Sequence, residues 1–272
     1  MRAAARAGSA PPRRKRFGQH FLHDPAVIER ILAAFAPHPG EHLVEVGPGR
    51  GALTRRLLAL ADVTFDALEI DRDLAAALAP QFAGSPRAAL HVADALTFDF
   101  AALARARGGA LRLIGNLPYN ISTPLIFHLI SQHRALTDLN FMLQREVVAR
   151  LAAAPGGKDY GRLTVMLAPY CTVQRRFDVG PGAFQPPPKV WSAVVRIGVR
   201  AAPLFPVSPH YPRVVAAAFS QRRKTLRNAL AALLSREQIS ACGIDPTVRP
   251  ETLAPQDFNI LAQALDRAHP SG

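Results

Sequence analysis

From Leu43 to about Ala202 the chain alternates short apolar runs with helical patterns, and this alternation constrains the fold more than any other feature. Runs of β-branched and aliphatic residues read as strands, and stretches with apolar residues three and four apart read as crossover helices. Such βα units assemble into a parallel sheet with helices on both faces. The pattern predicts strands near residues 42–46, 63–69, 89–93, 111–115, 139–143, 171–177 and 193–198. Helices are predicted near 51–60, 72–79, 123–133, 145–153 and 161–168. Seven strands suit a doubly wound, Rossmann-like α/β sheet, and the last two, joined across 178–192, are expected to form an antiparallel edge.

The flanks read differently. Residues 1–16 hold Arg2, Arg6, Arg13, Arg14, Lys15 and Arg16 before the first acid, Asp24, and lack an apolar period; a basic tail that stays disordered until bound is expected. A helix is predicted from Pro25 to Phe35 on the spacing of Val27, Ile28, Ile31 and Leu32. After Ala202 the strand signal ends, and Pro203, Pro206 and Pro209 read as a linker. Apolar spacing over 214–219, 226–234 and 258–265 then predicts a small all-helical domain. The expected division is a tail (1–16), an α/β domain (17–202) and a helical domain (203–272).

The 33 Lys and Arg against 20 Asp and Glu give a formal charge of +13, and the clustering of that charge points to a polyanion, nucleic acid before membrane surface. No uninterrupted apolar run reaches the roughly 18 residues of a membrane span. Two cysteines, Cys171 and Cys242, far apart, suggest neither a disulfide framework nor a zinc site and fit a reducing cytoplasm. The nine histidines show no metal-ligand spacing, so no metal is expected.

Glu45-Val46-Gly47-Pro48-Gly49-Arg50-Gly51 lies between the first predicted strand and a helix, where glycines let a ligand approach the backbone and a helix N-terminus favours negative charge. Glu69 closes the second strand, 22 residues after Gly47, and suits the two hydroxyls of a ribose. Asp94, ending the third, suits an adenine amine. These residues point to an adenosine-type cofactor without separating a nicotinamide dinucleotide from S-adenosylmethionine, since Gly47, Gly49 and Ala52 also satisfy the dinucleotide pattern.

Asn116-Leu117-Pro118-Tyr119-Asn120, at the end of the fourth strand, breaks the tie. Adenine N6 is a poor nucleophile because its lone pair is conjugated into the ring. If the Asn116 side-chain oxygen and the Leu117 carbonyl accept its two N–H groups, the lone pair is freed, and Tyr119 can stack on the base. A hydride transferase has no use for that set. Phe184, held by the extended Gln185 to Pro188 segment, is expected against the other face of the base. Arg222, Arg223, Lys224 and Arg227 crowd the start of a predicted helix, against its dipole, and are expected to bind RNA.

Together with Phe17 to Leu22, Gln144 to Val148 and Gln221 to Asn228, these motifs resemble the bacterial small-subunit ribosomal RNA adenine dimethyltransferases over nearly the whole chain after the tail. The resemblance implies a class I methyltransferase fold and transfer of four methyl groups from S-adenosylmethionine to N6 of two adjacent adenosines in the 3′-terminal hairpin loop of the small-subunit RNA. It further implies that the protein acts as a cytoplasmic monomer. It places His20, Leu22, Gly47, Glu69, Asp94 and Asn116 at the cofactor, and Asn116, Leu117, Tyr119 and Phe184 at the target base. The family usually carries Asn where His20 stands, so protonation of His20 could make cofactor binding pH-dependent. The competing readings are an RNA-binding assembly factor that retains the fold without methylation and, more distantly, a nicotinamide oxidoreductase.

Overall fold

A computed structural model of the chain describes residues 19–221 and 223–268. The basic tail, with Phe17 and Gly18, and Arg222 lie outside the described residues. In chain order the elements are β1 (Phe21–Leu22), α1 (Pro25–Phe35), β2 (His42–Val46), α2 (Thr54–Leu58), β3 (Thr64–Glu69), α3 (Arg72–Phe82), β4 (Ala88–Val92) and α4 (Phe100–Arg107). β5 (Leu111–Asn116), α5 (Ser122–Ser131), β6 (Leu136–Gln144), α6 (Arg145–Leu151), α7 (Arg162–Leu167), β7 (Cys171–Val179), β8 (Phe184–Gln185) and β9 (Ser192–Val199) complete the α/β part. The rest is helical: α8 (Tyr211–Ala218), α9 (Leu226–Ala229), α10 (Arg236–Ala241) and α11 (Pro255–Ala268).

Seven strands form one sheet in the order β4-β3-β2-β5-β6-β9-β7. β2 to β6 run parallel, and β9 and β7 are antiparallel to their neighbours. β2, β3, β5 and β6 are buried on both faces, whereas β4, at the edge, is only half-buried. On β2 Val44 and Val46 face one cluster, with Leu113, Leu125 and Phe141, while Leu43 faces the other, with Ile31, Phe35 and Phe65. Alternating apolar residues on both faces require helices on both sides, which α1 to α5 supply. Because β3 lies on one side of β2 and β5 on the other, the direction of winding reverses between β2 and β5. A crevice opens at the carboxyl ends of strands at such a switch point.

The predicted β7 and β9 edge forms, with β9 inside and β7 outermost. The loop between them holds a strand that the apolar pattern does not reveal: β8 pairs with β1 as a two-stranded ribbon, Phe21 opposite Gln185 and Leu22 opposite Phe184. Helix α4 is also absent from the sequence pattern, because Phe100, Leu103 and Ala104 are its only buried residues and Arg and Ala fill the rest. The helix expected from residue 51 begins at Thr54, since Gly49 and Gly51 hold left-handed backbone (φ 57° and 76°) that a helix cannot include.

The helical segment packs as a third cluster around Tyr211, Val214, Leu226 and Phe258, and this cluster takes in Tyr160 and Val165 from before the linker. Tyr211 donates to the Val165 carbonyl (2.8 Å) and Tyr160 to the Leu253 carbonyl (2.8 Å), so α7 and the helical segment share one core. The single helix expected over 226–234 is one turn followed by a bend. Leu226 and Arg227 donate their N–H groups to the carbonyls of Val248 and Pro246, and Ser235 caps a fresh helix, α10, with its hydroxyl.

Candidate active site

A cavity of about 240 Å³ opens at the switch point. Its walls are the carboxyl ends of β2 (Glu45, Val46), β3 (Glu69) and β5 (Asn116), the segment after β4 (Ala93 to Leu96), the glycine loop, and Gln19 to Leu22. His20, Leu22, Gly47, Glu69, Asp94, Asn116, Leu117 and Tyr119, predicted from stretches spread over a hundred residues, all line it.

Glu69 is 2% exposed, and both its oxygens already accept backbone N–H groups: Gly49 on Oε2 (3.0 Å) and Asp71 on Oε1 (3.0 Å). Burial raises its pKa, and those hydrogen bonds pull the other way. The Gly49 amide, which an anion-binding loop would offer to a ligand, is thus committed to a carboxylate. Gly49 is fixed as glycine twice, by its left-handed φ and by the Phe21 ring, 3.2 Å from where a Cβ would stand. Asp94 accepts from Leu96 N–H on Oδ1 (2.9 Å).

Glu45, within the glycine motif but assigned no role from sequence, lines the cavity too. It is 2% exposed and accepts the Thr54 hydroxyl (2.7 Å). Burial pushes its carboxyl up to about 8; the Thr54 bond lowers it and the nearby Glu69 raises it further. It lies one residue before the end of β2, as Glu69 lies at the end of β3, so a search for acids near strand ends could have found it.

The Asn116 loop also lines the cavity. Asn116 Nδ2 donates to the His20 carbonyl (2.9 Å), which uses one of the amide's two N–H groups and fixes Oδ1 as the side-chain atom that accepts. The Leu117 N–H donates to the Met142 carbonyl (3.2 Å), anchoring the loop to β6. The Tyr119 hydroxyl shares a hydrogen bond with Ser192 Oγ (2.9 Å), and its ring lies 5.8 Å from that of His20, tilted by 34°. His20 Nδ1 is bonded to the Pro186 carbonyl (2.8 Å). Ser192 and Pro186 are thus supports that sequence reading missed; each lies more than 70 positions from its partner, and no local pattern signals them.

One expectation is corrected. Phe184, read as a ring against the base, is 2% exposed, does not line the cavity, and packs in the core with Leu22, Ile28 and Val194. In extended backbone successive side chains point to opposite faces, and here Phe184 takes the inner face and Gln185 the outer. Arg223, Lys224 and Arg227 are exposed and lie outside the cavity lining, on the helical segment; Arg222 is outside the described residues.

The family model described as ribosomal RNA adenine dimethylase matches residues 12–267. The chain belongs to that family. It is an enzyme, an adenine dimethyltransferase of ribosomal RNA with the Rossmann-like class I methyltransferase fold. It is 56% identical over 252 residues to "Ribosomal RNA small subunit methyltransferase A" of Nitrosococcus oceani, covering 92% of this chain and 95% of that protein. It is 54% identical over 254 residues to the protein of the same name from Pseudomonas aeruginosa, covering 93% and 94%. Among solved structures it resembles the 23S rRNA methyltransferase ErmE (27% identity, TM-score 0.68, 90% of this chain and 99% of that one). A dimethyladenosine transferase from Plasmodium falciparum shares the fold, with a TM-score of 0.75 at 23% identity over 91% and 98% of the two chains.

Proposed function

We propose that this family member uses S-adenosylmethionine to dimethylate N6 of two adjacent adenosines in the 3′-terminal hairpin loop of small-subunit ribosomal RNA during subunit assembly, as a cytoplasmic monomer. The names and coverage of its relatives support the small-subunit substrate. The observation that carries the chemistry is the Asn116 amide: with Nδ2 bonded to the His20 carbonyl, Oδ1 is the side-chain atom left to accept from a substrate.

The residues present fit the cofactor. Left-handed Gly47 and Gly49 leave two positions of the loop without side chains, buried Glu69 has lone pairs remaining for ribose hydroxyls, and Asp94 has a second oxygen for an adenine amine. His20 and Leu22 close the cavity from the N-terminal side. S-adenosylmethionine, when bound, supplies a sulfonium-activated methyl group open to in-line attack. The protein's own part is positional. Asn116 Oδ1 and the Leu117 carbonyl accept the two N6–H groups, shifting the nitrogen toward tetrahedral geometry and freeing its lone pair. Tyr119, steadied by Ser192, holds the face of a base drawn out of its stack. No strong base is required, because N6 is acidic once it is alkylated; orientation and exclusion of water account for the rate. Phe184 serves this arrangement from beneath, as packing under Leu22. Arg223, Lys224 and Arg227, with Arg222, bind the RNA backbone. No helix of the described residues is long and apolar enough to cross a membrane.

The test is to incubate the protein with labelled S-adenosylmethionine and small subunits from cells lacking the enzyme, and to map the product. Dimethyladenosine at two adjacent positions of the 3′-terminal loop is expected. Asn116→Ala should lower kcat by about 10²–10³, the cost of one lost oriented hydrogen-bonding group, while the cofactor Kd moves by no more than about threefold. Subunit binding without label transfer would instead favour a pure assembly factor, and label in large-subunit RNA would relocate the substrate.

A further inference from the structure

The chain contains one tryptophan, Trp191, and it is half exposed (50%) beside the half-exposed Val190 (43%). Single exposed apolar residues need no explanation, but the position of this one is specific. Its carbonyl accepts the Arg145 N–H (2.9 Å), at the end of the sheet where β6 finishes and β9 begins. The next residue, Ser192, is the one bonded to the Tyr119 hydroxyl. The indole therefore stands one residue from the support of the base-gripping loop, outside the cavity itself. It is also held: the ring lies over Gly180, 3.7 Å from where a Cβ there would be, so one part rests on backbone while half its surface stays open.

The surroundings are basic. Arg145, whose N–H meets the Trp191 carbonyl, and Lys189, two residues before the indole, are exposed, while Glu146 is paired with Arg150 and Asp178 with Arg175. An exposed aromatic face seated on backbone, with two exposed cations on adjoining segments, matches one occupant, an unstacked nucleobase carried on a phosphate backbone. Resting on the RNA-methylating reading above, we propose that Trp191 stacks on a nucleotide flanking the target adenosine and so helps set which base enters the cavity. The target itself is gripped at Asn116, so the indole recognises its neighbour.

Because the tryptophan is unique, its fluorescence reports this contact alone. Titration with an RNA hairpin whose loop carries two adjacent adenosines should quench the emission. Inorganic polyphosphate should not, and a hairpin with abasic nucleotides flanking the adenosines should quench far less. With undermethylated small subunits as substrate, Trp191→Ala should raise KM by roughly 5- to 150-fold, the range that one base stack commands. Its kcat and cofactor Kd should stay within about twofold, and Trp191→Phe should recover most of the affinity.

An unchanged KM in Trp191→Ala overturns the proposal while methylation by the parent chain leaves the functional reading intact. So does equal quenching by the abasic hairpin, or a response to anionic phospholipid vesicles in place of RNA. Loss of cofactor binding in both variants would make the residue structural and also overturn it. If the parent chain methylates no RNA, the functional reading fails, and the fluorescence titration still decides the contact on its own.

Discussion

At the scale of single residues, the site is a set of polar groups whose unused capacity is as telling as their bonds. Asn116 has one amide N–H committed and its oxygen in hand, and Glu69 and Asp94 have given part of their capacity to backbone amides and keep the rest. Glu45 differs in that burial pushes its pKa from 4.5 to about 8. A raised carboxyl pKa in the folded state means that the unfolded chain sheds its proton first. Below about pH 4.5 both states are protonated and the stabilisation relative to the ionised form is fully present. Between there and about pH 8 it drains away at up to about 1.4 kcal/mol per pH unit, and above that the slope vanishes. Glu45→Gln keeps an acceptor for the Thr54 hydroxyl and removes the titration, so its urea-unfolding free energy should be flatter than the parent's from pH 5 to 8. Parallel curves would mean that Glu45 ionises as an ordinary surface acid.

At the scale of elements, the cavity depends on how closely the tips of β2 and β5 approach before they diverge. Gly115 sets that distance: a Cβ there would stand 2.5 Å from the Val46 carbonyl oxygen and 3.3 Å from the Leu117 side chain. Gly115→Ala should therefore cost about 1–3 kcal/mol in urea unfolding, the usual penalty of overpacking, and weaken cofactor binding as both walls move. Gly182→Ala, with open space around it, is the control and should fall within about 0.5 kcal/mol of the parent. These elements were also where the sequence was most readable. β2, β3 and β5 announced themselves because strands buried on both faces are apolar runs; Gly47 follows β2, Glu69 and Asn116 close β3 and β5, and Asp94 comes just after β4. What could not be read was pairing at long range. The ribbon of β1 with β8 joins residues roughly 160 positions apart through two-residue strands, too short to carry a period. Without that pairing, Phe184 had no visible reason to turn inward, and neither Ser192 nor Pro186 had a visible partner.

At the scale of the whole molecule, the reaction chamber and one basic surface lie apart. Glu45, Glu69 and Asp94 line the cavity, together with Arg50, while Arg223, Lys224 and Arg227 are exposed on the helical segment, which shares a core with α7. Replacing Arg223, Lys224 and Arg227 together by Ala should reduce the slope of log K against log salt for small-subunit binding. The reduction should be about 0.7–0.9 for each phosphate no longer neutralised, with cofactor affinity unchanged. An unaltered slope would move the RNA footprint elsewhere on the surface. The same division gives meaning to the wall formed by Gln19 to Leu22. These residues close the cavity yet belong to no strand of the seven-stranded sheet, and their ties include two residue pairs of the ribbon and one side-chain amide. A chain begun at His23 would keep that sheet and its basic surface and lose a side of the reaction chamber. It would be a decoy: added to a subunit methylation assay, it would occupy substrate without modifying it and slow the intact enzyme in proportion to its share.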